Sequence, residues 1–117
     1  MTSQFKIKDP AEMAIRRQPM AGHPGAFIRN VLLPEYGLSV TEAARRIGVQ
    51  RVGFIGTLDG KYSVTRDLAY KLGALMRDEV TDLLIAWQQK YDLEREAEQR
   101  AAYRRDIERV PPVAVAA

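Results

Sequence analysis

A chain of 117 residues with 46% hydrophobic content has the size of one domain and the apolar side chains for one modest core, so a second independent domain is not expected. It holds no cysteine and a single histidine, His23, which excludes disulfides and cysteine-ligated metal and leaves only carboxylates for a metal site. The net charge is +3, unevenly spread: residues 1–23 carry a balance of +2, residues 24–77 of +4 and residues 78–117 of −3.

A basic first two thirds before an acidic end suits a nucleic-acid-binding module followed by a segment with another purpose. No run of about 18 apolar residues occurs, and the start MTSQFKIKDPAEMA lacks the apolar stretch of a secretory signal. The expectation is a cytoplasmic protein with no membrane partner. No nucleophile–base pair, metal cluster or phosphate-cradling loop is evident, so neither an enzyme nor a cofactor is expected.

Residues 1–22 carry Pro10, Pro19 and Gly22 among scattered charges and read as a flexible arm, with a short helix conceivable around Glu12 to Arg17. From Pro24 a first helix is expected, with Phe27, Ile28, Val31 and Leu32 at helical spacing until Pro34 stops the run. Gly37 marks a turn. Ser39-Val40-Thr41-Glu42 then has the form of a capping box, with Ser39 as N-cap and Glu42 reaching back to its amide. Val40, Ala43, Ala44 and Ile47 share a face of the second helix, and Gly48 ends it.

A third helix over about Arg51 to Leu58 turns Phe54, Leu58 and Thr57 inward and stops at Gly60. Ser63 or Thr65 caps a fourth, with Leu68, Leu72 and Leu75 in register. A fifth begins near Val80 and is expected to bury Leu83, Leu84, Trp87 and Tyr91. Beyond Leu93, EREAEQRAAYRRDIER is helix-prone and mostly charged, a solvated extension before a frayed tail from Val110. The organisation is thus an arm at 1–22, a domain at 23–93, and a charged helical extension with a disordered tail at 94–117.

Function concentrates in VTEAARRIGVQRVGFIGTLDG, residues 40–60. A helix-turn-helix needs a small residue where the second helix crosses the first, a glycine at the tight turn, and apolar side chains between the helices. Ala44, Gly48 and the set Ile47, Val49 and Phe54 meet those needs. Thr57 stands where a larger aliphatic side chain would pack better. The helix after the turn would enter a major groove of operator DNA.

Arg51, at its exposed start, is placed either for a bidentate contact to guanine O6 and N7 or for a phosphate. Gln50 is a poor cap and reads as a phosphate or adenine contact. Val52 offers no hydrogen bond to a base edge, and Gly53 and Gly56 either let the backbone approach the duplex or are plain losses of side chain. Arg45, Arg46 and Lys61 are phosphate ligands or surface charge. His23 caps the first helix or packs beside it. Because one helix-turn-helix reads a half-site, a homodimer is expected, with Leu84, Trp87 and Tyr91 of the fifth helix as its seam.

The stretch HPGAFIRNVLLPEYGLSVTEAARRIGV, from His23 to Val49, resembles the opening of HigA antitoxins in its His-Pro-Gly start, its leucine-proline break and its Leu-Ser-Val-Thr-Glu-Ala-Ala segment. Asp59-Gly60-Lys61, Thr65, Asp67, Ala69, Leu72, Gln88 and Tyr91-Asp92-Leu93 are similar to the same family. The resemblance implies an all-α, five-helix, lambda-repressor-like domain of the XRE/Cro-like helix-turn-helix class. It also implies an antitoxin that binds a HigB-type mRNA interferase and represses its own operon. A free-standing XRE-type or phage-like repressor without a toxin partner stays open. In that family the third helix starts with Ser-Arg and polar residues, whereas here it runs Gln50-Arg51-Val52-Gly53.

Overall fold

A computed structural model of the chain describes residues 20–114, and every regular element among them is helical. The short helix conceivable around Glu12 to Arg17 lies outside the described residues. We number six helices. α1 is composite, an α turn at Gly25–Phe27, a π-helical stretch at Ile28–Leu32 and a closing α turn at Leu33–Glu35. It is followed by α2 (Val40–Ile47), α3 (Arg51–Leu58), α4 (Arg66–Leu75), α5 (Asp78–Arg95) and α6 (Ala97–Asp106). The charged extension is therefore a separate helix after a break at Glu96, and none of its residues is buried. No helix among the described residues is long and apolar enough to cross a membrane.

Pro34 does not stop α1, as its missing N–H and bulky ring had suggested. In a regular α-helix the proline ring would collide with the carbonyl four residues back. Here the preceding turn is widened into a π-helix, in which the Leu33 amide reaches back five residues to the Ile28 carbonyl. The wider turn also brings Ile28, Leu32 and Leu33 to one side, and all three are buried. Thr65, rather than Ser63, caps α4, its hydroxyl accepting from the Leu68 amide at 3.1 Å.

The core gathers Phe27, Ile28, Leu32 and Leu33 of α1, Ala43 and Ala44 of α2, and Phe54 and Leu58 of α3. Val64 of the loop before α4, Leu68, Ala69 and Leu72 of α4, and Val80, Leu84 and Trp87 of α5 complete it. α4 and α5 pack together most extensively. The inward face of α5 is Val80, Leu84, Trp87 and Gln88, whereas Leu83 and Tyr91 are only half-buried. A glutamine takes that place because its polar ends are satisfied. Gln88 Oε1 accepts the Val64 amide at 2.8 Å, and Nε2 donates to Asp92 at 2.9 Å.

The His-Pro-Gly start is a docking device for α1. The Gly25 amide donates to His23 Nδ1 at 2.9 Å, so the ring proton sits on Nε2, which donates to the Tyr62 carbonyl at 2.9 Å. The imidazole meets the Tyr91 ring edge-on at 5.2 Å between centroids, and Trp87 Nε1 donates to the Gly22 carbonyl at 2.8 Å. Gly25 itself lies against the last turn of α3. A Cβ there would stand 2.6 Å from the Leu58 carbonyl oxygen and closer still to that of Thr57.

Since both obstacles are backbone, Gly25→Ala must push α1 off α3, and we expect a loss of about 1–3 kcal/mol in urea unfolding. Gly53→Ala, whose Cβ would meet nothing within 4 Å, serves as the contrast and is expected to be neutral or to gain up to about 1 kcal/mol from helix propensity.

Candidate nucleic-acid interface

α2 opens as the cap pattern predicts, with Ser39 Oγ accepting the Glu42 amide at 3.0 Å. The second half of the capping box is used otherwise. The Glu42 carboxylate accepts from Arg45 Nε at 3.2 Å and from Arg46 Nε at 2.6 Å. At the far end Gly48 takes φ 74°, the left-handed region that a side chain would resist. The Gly48 amide returns to Arg45 O at 3.3 Å and the Val49 amide to Ala44 O at 3.0 Å, closing a Schellman motif. Ala44 is buried under the crossing, with Phe54 buried and Ile47 and Val49 half-buried between the helices. Thr57 is buried too, its hydroxyl satisfied by the Gly53 carbonyl of its own helix at 3.3 Å. Beside it opens a cleft of about 210 Å³ lined by Gln50, Gly53, Thr57 and Thr65, among others.

The turn sets out the first residues of α3 together. Gln50 is the N-cap, in extended conformation, and makes no side-chain capping bond. Arg51 is exposed, and its Nε donates to Thr41 Oγ1 at 2.9 Å, tying the start of α3 to the start of α2. Thr41 was not singled out from the sequence. A polar side chain on the first turn of a helix has many uses, and only the fold brings it within reach of Arg51. Val52 stands 79% exposed, and Gly53 has open space where a side chain would be.

Gly56 is a different case, because the open backbone that would approach a duplex is absent there. It is buried, and a Cβ on it would lie 2.5 Å from the Tyr62 ring, so this chain's own tyrosine occupies the space. Lys61 is exposed beyond the other end of α3. Arg45 and Arg46 are exposed but share Glu42 as their counter-ion. Arg29, a further basic residue on the α3 side of α1, pairs with Asp59 at 2.6 Å.

The expected seam on α5 is spent inside the protomer. Leu84 is 0% and Trp87 2% exposed, the latter packed against Phe27 with ring centroids 4.9 Å apart. Tyr91 is half-buried between the edge of His23 and the guanidinium of Arg95, which lies 5.4 Å from its ring centre. An aromatic stripe at helical spacing looks the same from the sequence whether it faces its own core or a second copy.

Two helices joined by a glycine turn, packed on α1 and α4 and presenting the start of the second, define a helix-turn-helix domain. Virulence-associated protein A′ of Dichelobacter nodosus is 33% identical to this chain over 89 residues, an overlap that covers 76% of each. The chain belongs to the family of that protein. No family model matches the chain, and no solved structure matches it.

The hydrogen bonds from Arg45, and then from Arg46, hold the Glu42 carboxyl down to about 2 from an ordinary 4.5. A carboxyl whose folded value is depressed stabilises the fold fully above its unfolded value, and the contribution disappears as pH falls through the folded one. The Glu42 side-chain resonance should therefore titrate near pH 2 in the parent and near 4.5 in the double variant Arg45→Gln/Arg46→Gln, as read by carboxyl NMR.

Proposed function

We propose that this protein is a HigA-type antitoxin, a cytoplasmic binding protein rather than an enzyme. In this reading it neutralises a HigB-type mRNA interferase and represses its own operon. The observation that carries the DNA half is the presentation of Gln50, Arg51, Val52 and Gly53 at the exposed start of α3, with Arg51 braced by Thr41. The ordered motifs from His23 to Leu93 that resemble HigA antitoxins support the toxin half. Co-expression with the adjacent reading frame tests it: co-purification of a small basic protein is expected, and its absence leaves a free-standing repressor.

Operators with two-fold symmetry need two copies of the domain. With Leu84 and Trp87 in the core, the exposed apolar side chains near the end of the chain, Leu93, Tyr103 and Ile107, are where a second copy would pack. Residues 92–98 hold four carboxylates and one arginine, and residues 100–109 four arginines and two carboxylates, so two such segments running antiparallel bring opposite net charges together. Sedimentation at tens of micromolar should give a dimer for the parent and a monomer for Tyr103→Asp.

Phosphate contacts supply most of the affinity in this reading, so binding should fall steeply with added salt. On DNA from the protein's own upstream region, Arg51→Ala should cost about 1–3 kcal/mol and relax sequence preference. Lys61→Ala should weaken all sequences alike and flatten the salt dependence. Fluorescence anisotropy separates the two, and an unchanged Arg51→Ala would remove α3 from the interface.

A further inference from the structure

Val52 is the most exposed large apolar side chain in any described helix, 79% open to solvent in the first turn of α3. It does nothing for the core, and a β-branched residue is not favoured in a helix for its own sake. Its immediate neighbours are Arg51, whose Nε is held by Thr41, and Gly53, with nothing within 4 Å of where its Cβ would be. A rigid apolar knob thus stands beside a fixed guanidinium and a bare stretch of backbone, in the first turn of α3.

We infer that Val52 is a specificity-determining residue that takes the 5-methyl group of a thymine in the major groove, beside the base reached by Arg51. The inference rests on the DNA-binding reading and sharpens it. Of the groups that base pairs display in the major groove, the thymine methyl is the apolar one, and the rest are hydrogen-bond donors and acceptors. A valine pressed against a G·C pair would strip water from such groups and return no hydrogen bond, so it penalises the wrong base as well as rewarding the right one. Its stiff χ1 keeps the two methyl groups in one place without an ordering cost on binding. Gly53 removes the side chain that would otherwise hold the helix away from the groove floor.

The test uses the full-length chain and a duplex pool with about 20 randomised base pairs, selected at low salt. The best recovered duplex is then resynthesised with each thymine replaced in turn by deoxyuridine, which deletes only the methyl group. One position in each half-site should weaken the parent about fourfold, the worth of one buried methyl. Val52→Ala, which does not lower the thermal midpoint at this exposed site, should bind thymine and deoxyuridine alike at that position while keeping the parent's response elsewhere. If deoxyuridine is tolerated everywhere, or if Val52→Ala shows the parent's penalty, Val52 does not read a methyl group, although DNA binding stands. If the pool yields no enriched sequence, the DNA-binding reading itself falls and takes the inference with it.

Discussion

The approach of Gly25 to the carbonyls of Thr57 and Leu58 fixes how α1 lies on the end of α3, and much of the domain is arranged around that contact. It is possible only without a side chain, and it is aligned from both sides. His23 holds the Gly25 amide on one ring nitrogen and the Tyr62 carbonyl on the other, while Trp87 secures Gly22 just upstream. A few residues at the start of the described chain therefore anchor α1, the loop after α3 and the middle of α5 at once. The helix that meets solvent at Arg51 is immobilised from its opposite end, which matters for any helix meant to present side chains in a defined position.

Electrostatics in the same region is a matter of placement more than of count. The +4 excess of residues 24–77 already subtracts Glu42 and Asp59, and those two carboxylates fix where Arg45, Arg46 and Arg29 lie. Such exposed pairs contribute little to stability, and their weight lies in holding the guanidinium groups along the surface. Arg51 is positioned by a neutral hydroxyl, which orients it without cancelling its charge. The excess positive charge of the region therefore persists, and Arg51 is a cation in it that an uncharged partner holds in place.

What the sequence disclosed was whatever is decided locally. Ser39, Gly48, Gly60 and Thr65 do their work within four or five residues of themselves, and a cap or a left-handed turn leaves a mark that needs no tertiary context. The helix-turn-helix was readable for the same reason. Long-range choices were not. Gly53 and Gly56 sit three apart on one short helix, and only the fold shows that one faces solvent and the other Tyr62. Gln88 has no place in the buried face that the sequence predicts for α5, because apolar periodicity has no means of scoring a polar side chain whose partner comes from 24 residues away. Leu84 and Trp87 were legible as a buried stripe, but not as one buried by this chain's own Phe27.

The π-helical turn at Ile28–Leu32 bears on how the chain can change in length. Such a turn is an α-helix carrying one residue more than its register accommodates. Dropping a residue between Arg29 and Val31 would restore an ordinary α-helix, but Pro34 would then confront a carbonyl one turn behind it. Shortening α1 is thus coupled to replacing its proline. Sequences in this lineage should trade the two together, so a gap in an alignment at this point and the loss of the proline are one event in the history of the fold rather than two.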